Sequence, residues 1–295
     1  MHKYAVVDIG TNSVRLMIAR VDDGCIVSEY KTLRTIRVGE GMSGHRSISS
    51  DAMKRAQITI DEYIRLCADC DNFFCFATSA VRDAQNSREF AKHIESNCGV
   101  TVDVISGEDE ALLGFAGSIV GYGGMFDIGG GSTEVMTGTL NNVEYKRSFD
   151  LGAVRLLQMF PSVDFADCDA YEQAHALASE FLANVPPADG FAYTGIGGTA
   201  TAIAAIDLEL VPYDAKRVQG HMISFERACS LCDMLKNKTK KQREKIDSLQ
   251  DSRADVIVLG AIIMLEFMKA SKSSYITVSD SDNQEGYLKK KLGLL

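Results

Sequence analysis

Short apolar runs of strand length alternate along this chain with longer stretches in which apolar residues recur every three or four positions. Tyr4–Asp8, Val14–Val21 and Ile26–Arg37 read as strands, with Asp22-Asp23-Gly24 as a hairpin turn. After a polar loop from Gly39, Ser50 or Asp51 caps a helix that carries Met53, Ala56, Ile60, Tyr63, Ile64 and Cys67 on one face. A strand over Asn72–Thr78, a helix over Ser87–Cys98 and a strand over Val100–Ile105 follow. The next helix runs through Val120, and its Gly114, Ala116 and Gly117 suit close packing. The second half repeats the order: strand, glycine-rich loop and strand over Met125–Gly138, then a hairpin through Asn141-Asn142. A helix opens after Leu151, with Arg155 in its first turn. Asp164–Ala183 is polar and then amphipathic, Phe191–Thr194 is a strand, and Gln219–Ser224 is another. Ala254–Met268 is apolar nearly all round, the mark of a buried helix. Tyr275–Val278 is the last strand before a short C-terminal helix. Strands alternating with helical patterns predict an α/β protein.

Within this pattern one local sequence occurs twice. Asp8-Ile9-Gly10-Thr11-Asn12-Ser13-Val14-Arg15 and Asp127-Ile128-Gly129-Gly130-Gly131-Ser132-Thr133-Glu134 each join two apolar strands by a tight turn that starts from an aspartate. Successive backbone amides in such a turn form a concavity for anionic oxygens, and glycine lets the ligand approach. The hydroxyls of Thr11, Ser13, Ser132 and Thr133 add donors. Gly10, Thr11, Asn12, Ser13 and Arg15 in the first copy and Gly129, Gly130, Gly131 and Ser132 in the second are therefore candidates for holding phosphate. Asp127, Glu134 and Asp8 would repel that phosphate without a hard cation between them, so they are candidates for holding Mg²⁺. A plain hairpin turn explains one copy; two copies favour the anion cradle.

Three further stretches carry chemistry. Arg82 follows a strand in a turn of small residues, where its guanidinium can reach a ligand at the carboxyl ends of strands or pair with Asp83 or Glu89. Ser106 caps a helix whose first turn holds Glu108, Asp109 and Glu110, more acids than a cap needs; one is a candidate general base. Gly195-Ile196-Gly197-Gly198-Thr199-Ala200 matches the dinucleotide fingerprint G-x-G-x-x-A without a clear downstream acid. Gly197, Gly198 and Thr199 read as a third phosphate loop at a helix N-terminus.

A length of 295 residues allows about two domains on a prior of roughly 150 residues each, and a net charge of −9 argues against a nucleic-acid surface. Local arginines and a cation would have to neutralise a polyanionic substrate. The N-terminus does not read as a signal peptide, and the longest apolar run is too short for a membrane span, so a cytoplasmic protein is expected. Cys67-x-x-Cys70 and Cys229-x-x-Cys232 lie in helical patterns far apart in sequence and read as reduced core cysteines rather than a zinc site. Lys236–Lys245 is a basic run, either a solvated face or a track for an anionic chain.

Taken in order, these stretches resemble the exopolyphosphatase / guanosine pentaphosphate phosphohydrolase (Ppx/GppA) phosphatase family. The two aspartate loops, Ala77–Ala84, Ile105–Ala111, Gly152–Leu156, Gly195–Ala200, Arg253–Ile257 and Val278–Ser281 carry the resemblance, and the chain looks like the short two-domain form. It implies the actin-like / sugar kinase / Hsp70 ATPase (ribonuclease H-like) fold, with two duplicated α/β domains and the active site in the interdomain cleft. The expected domains are residues 1–122, joined by the C-terminal helix 284–295, and residues 123–283. The resemblance also implies Glu110 as the base for the attacking water, Asp127 and Glu134 near the metal, and Asn12, Ser13, Arg82 and Gly129–Ser132 at phosphate-loop positions. The expected cofactor is Mg²⁺, and a homodimer is expected. The expected activity is hydrolysis of the terminal phosphoanhydride of inorganic polyphosphate. Hydrolysis of the 5′-γ-phosphate of guanosine pentaphosphate, non-hydrolytic sensing of guanosine tetraphosphate and a kinase on the same fold are the alternatives. Gln284 stands where the family's last motif usually has an arginine, and Asp282-Asn283 where it usually has a small-apolar pair.

Overall fold

The computed structural model describes residues 2–42, 46–161 and 168–295. Part of the loop expected after Gly39, residues 43–45, and the start of the stretch expected from Asp164, through residue 167, lie outside the described residues. The chain divides into two compact units, residues 1–110 with 287–295, and residues 111–286.

The first unit contains β1 (His2–Ile9), β2 (Ser13–Asp22), β3 (Cys25–Thr35), α1 (Ser50–Leu66), β4 (Asn72–Ala77), α2 (Ser79–Asp83), α3 (Ser87–Cys98) and β5 (Val102–Val104). The first turn of α4 (Gly107–Ser118) completes it, and the rest of α4 belongs to the second unit. The sheet order is β3-β2-β1-β4-β5. β1 pairs antiparallel with β2 and parallel with β4. Val7, Ile9, Leu16 and Ala77 of the sheet pack with Ala56, Ile60 and Tyr63 of α1 and Phe90 and Ile94 of α3 in one core. The cap of α1 is Ser49, one residue earlier than expected; its hydroxyl accepts the Ala52 amide at 3.2 Å.

The second unit holds β6 (Gly123–Ile128), β7 (Thr133–Gly138), β8 (Val143–Phe149), α5 (Ala153–Met159), α6 (Cys168–Leu182), β9 (Tyr193–Ile196), α7 (Gly197–Asp207) and α8 (Ala215–Val218). It continues through β10 (Met222–Ser224), α9 (Phe225–Lys236), α10 (Lys240–Arg243), α11 (Ile257–Ala270), β11 (Tyr275–Val278) and the start of α12 (Asn283–Lys291). Its sheet order is β10-β11-β9-β6-β7-β8. With the edge strand β10 set aside, β8-β7-β6-β9-β11 repeats the order and strand directions of the first sheet. α11 is buried from Ile257 through Met268, as an all-round apolar helix must be. β9 runs two residues beyond the expected strand end, because Gly195 still pairs with both Phe126 and Val278.

Two cations of the basic run 236–245 have structural partners. Arg243 is fully buried; its Nε donates to the Ala254 carbonyl at 2.7 Å and its Nη1 to the carbonyls of Leu235 and Lys238. The Lys236 ammonium lies 3.9 Å over the Tyr171 ring.

Candidate active site

The two aspartate loops have the same backbone. The Gly10 amide donates to the Ser13 carbonyl at 3.0 Å, and the Gly129 amide to the Ser132 carbonyl at 2.9 Å. In each unit the segment after the third strand takes up the loop's carbonyls. Ile36 and Arg37 donate to the Asn12 carbonyl, and Gly39 to that of Thr11. Ala153 donates to the Gly129 carbonyl and Val154 and Arg155 to that of Gly130, while Arg155 Nε reaches the Gly131 carbonyl at 2.7 Å. Gly152 is required there, since a Cβ would collide with the Gly130–Gly131 backbone.

With the carbonyls occupied, the amides become the exposed chemistry of the turn. Among the described residues the amides of Gly130, Gly131 and Ser132 have no acceptor, although Gly131 and Ser132 are buried. Buried amides are nearly always paired, so this concavity suits an anionic oxygen. The third loop adds a helix N-terminus of the same polarity. Gly197 and Gly198 open α7 without a side-chain cap, and the Thr199 hydroxyl donates to the Ile128 carbonyl at 2.8 Å. Gly197 has φ +72°, and a Cβ there would strike the Asp127 carboxylate. The Arg253 guanidinium presents its Nη1–Nη2 edge to Gly198, where a Cβ would collide with it.

In the first unit the charges are balanced. Asp8 is the register partner of Arg15 across β1 and β2. Arg15 Nε and Nη2 donate to the same Asp8 oxygen at 3.0 and 2.5 Å. The Thr11 and Ser79 hydroxyls are 2.8 Å apart. The three acids of α4 separate by role. Asp109 joins the cap, its amide donating to Ser106 Oγ at 3.0 Å; Glu108 is exposed; Glu110 is buried at 7% exposure. Arg82 Nη1 lies 2.8 Å from Glu110 Oε2, and it also donates to the Ile105 carbonyl at 3.2 Å. Of the ion-pair partners expected for Arg82, Asp83 is at 3.7 Å. Burial pushes the Glu110 carboxyl up to about 7, against the pull of Arg82; Asp8 adds to the rise and Arg15 opposes it.

In the second unit the matched position carries a second carboxylate where the first unit has an arginine. Asp127 faces Glu134 across β6 and β7, so both carboxylates point to one face of the sheet. Both are buried, at 6% and 1% exposure. At about 5 Å and an effective dielectric of ~20, two like charges repel by roughly 3 kcal/mol. Two neutral donors act against this: Asn283 Nδ2 lies 2.9 Å from Asp127 Oδ2, and Ser148 Oγ 2.6 Å from Glu134 Oε1. Hydrogen bonds to charged groups contribute about 1.5–3 kcal/mol each, the same order as the repulsion. Two buried carboxylates held side by side suit a hard cation that takes one or two protein carboxylates and completes its shell with phosphate oxygens and water. Among the described residues no three His, Cys, Asp or Glu gather as an all-protein metal cage would require.

The sequence brought Ser148, Asn283 and Arg253 forward for no role in the site. Ser148 could have been found from register, as the residue opposite Glu134 on β8. Arg253 stood in a recognised motif. Asn283 had no signal beyond its departure from the usual pattern.

The repeated five-strand order, with matched turns after the first strand of each sheet, is the duplicated α/β arrangement of the actin-like / sugar kinase / Hsp70 ATPase fold. A model of the Ppx/GppA phosphatase family matches residues 17–294, and the chain belongs to that family. It is 29% identical to Exopolyphosphatase 2 of Mycobacterium tuberculosis, over 96% of this chain and 97% of that protein. It is 30% identical to a bifunctional 3-dehydroquinate synthase/phosphatase of Fusobacterium nucleatum over 96% of this chain; that match spans 45% of the longer protein. The crystal structure of the Aquifex aeolicus Ppx/GppA family member superposes with a TM-score of 0.83 at 27% identity, covering 99% of this chain and 97% of that one. No helix among the described residues is long and apolar enough to cross a membrane.

Proposed function

We propose that this chain is a Mg²⁺-dependent hydrolase that removes the terminal phosphate of inorganic polyphosphate as orthophosphate. The observation that carries the reading is Glu110, a buried carboxyl poised near neutrality and held beside a guanidinium. A general base works best when its pKa lies near the operating pH. Glu110 Oε2 is engaged by Arg82, which leaves Oε1 to take a proton from the attacking water. The oxygen of that water bonds to the terminal phosphorus as the bridging P–O bond breaks, and the shortened chain leaves with the bridging oxygen.

Phosphoryl transfer asks the protein mainly for positioning and charge neutralisation. In this reading the amides of Gly130, Gly131 and Ser132 and the first turn of α7 hold phosphate oxygens in the second unit, and in the first unit the turn Gly10–Ser13 and the Arg82 guanidinium are donors for phosphate oxygens. Asp127 and Glu134 hold the Mg²⁺, which supplies charge neutralisation at the phosphate oxygens when bound. Asp8 keeps Arg15 in place and balances the charge around Glu110. The names of the mycobacterial relative and of the family support the substrate class.

The test is orthophosphate release from medium-chain polyphosphate, with and without Mg²⁺, beside guanosine pentaphosphate. Release from polyphosphate that requires Mg²⁺ is expected. Release from the nucleotide alone would make the chain a guanosine pentaphosphate 5′-phosphohydrolase. Binding of guanosine tetraphosphate with background turnover on both would make it a sensor.

A further inference from the structure

Asn283 opens α12 at 2% exposure, and its amide nitrogen is 2.9 Å from Asp127 Oδ2. The place is a costly one for an amide. Its Oδ1 is buried with no hydrogen-bond partner among the described residues. It faces Gly114 so closely that a Cβ there would sit 2.6 Å away. Turning the amide over would set Oδ1 against the Asp127 carboxylate, so the observed orientation is the favourable one. An apolar residue of similar size would avoid the unpaired oxygen, so packing does not account for Asn283; its donation to Asp127 does.

The effect of that donation follows from the neighbours. Asp127 and Glu134 are opposite each other on one face, and like-charged neighbours there favour turning one carboxylate aside. Asn283 Nδ2 at Oδ2, with the bare Cα of Gly197 beside Oδ1, fixes the plane of the Asp127 carboxylate. Ser148 does the same for Glu134 through Oε1. Donors of this kind, behind a metal ligand, set its orientation and charge. The sequence departs here from the pattern it otherwise resembles, so this support comes from the chain's own Asp282-Asn283-Gln284 stretch.

We propose that Asn283 is a positioning residue for the cation: its amide holds the Asp127 carboxylate in place beside Glu134, so that the two can hold a divalent ion together. The inference rests on the reading of Asp127 and Glu134 as cation ligands.

The test is a Mn²⁺ titration of the full chain with orthophosphate present, following free Mn²⁺ by electron paramagnetic resonance. Wild type, D127N, N283L and N283A are compared, and thermal unfolding of each is recorded without metal. N283L keeps the volume and removes the donor; N283A removes the donor without new bulk and serves should N283L not fold. The expected result is binding to wild type, loss in D127N, and a dissociation constant raised about tenfold or more in the Asn283 variants. A purely structural role would lower the unfolding temperature and leave the Mn²⁺ constant unchanged; that outcome, with D127N still defective, overturns the role of Asn283 alone. Failure of wild type to bind Mn²⁺, or undiminished binding in D127N, overturns the cation reading and this inference with it.

Discussion

Asp8 faces Arg15 across β1 and β2, while Asp127 faces Glu134 across β6 and β7. The turns between these strands share the same closing hydrogen bond, and each has its carbonyls taken by the segment after the third strand. One residue type at the matched register position separates them. The first pair is an ion pair that neutralises itself. The second sets two carboxylates opposite each other, each accepting from a neutral side chain. A duplicated backbone can thus carry two chemistries: a balanced cluster that tunes a buried acid, and a concentrated negative charge that a cation can use.

The contrast can be broken at its strongest point first. Glu110→Gln keeps the shape and removes the proton acceptor, so turnover is expected to fall by about a hundredfold or more with KM little changed, measured by steady-state phosphate release. Unchanged turnover would remove Glu110 from the reaction. Glu134→Gln leaves Asp127 as the pair's single carboxylate; a loss on the order of a hundredfold, with a much higher Mg²⁺ requirement, is expected in a metal-titrated assay.

The pH profile is a milder probe. In the proposed mechanism the reacting form of Glu110 is the ionised one, and burial raises its pKa to about 7. kcat/KM should therefore fall about tenfold per pH unit below 7 and level off above it. Because Arg82 pulls that pKa down, Arg82→Gln should move the acid limb to higher pH, and an unmoved limb would separate Arg82 from Glu110.

Stability gives the smallest effects and the clearest difference of sign. Arg15→Met strands the buried Asp8 carboxylate and should cost about 3 kcal/mol in urea unfolding. Glu134→Gln relieves repulsion and should leave the metal-free protein as stable or more stable, by up to about 1 kcal/mol. Destabilisation by both variants would mean that the two pairs are electrostatically alike.

Much of this could be read from residue order. The paired loops, the capping serine before Glu108, Asp109 and Glu110, and the all-apolar helix before the last strand are local patterns. Their physics acts over a few residues: turn chemistry, helix dipole, periodicity. The identity of the base among three adjacent acids could be proposed from the family resemblance, but the separate burial of Glu110 and the cap role of Asp109 are packing outcomes. Arg243 shows the opposite limit. In sequence it is one cation in a basic run, yet it is fully buried, its guanidinium donating to the main-chain carbonyls of Ala254, Leu235 and Lys238.

By itself the sequence determined the α/β class, the duplication, the anion-cradling turns and the small set of charged residues around them. These follow from spacing and residue type, which act locally and survive any change of packing. Only the tertiary structure decided which charges meet. Arg82 is 28 positions from Glu110, and Asn283 is 156 positions from Asp127. Such pairings are set by strand register and helix packing, and they turn a list of polar residues into an arginine-paired acid in one unit and two facing carboxylates in the other.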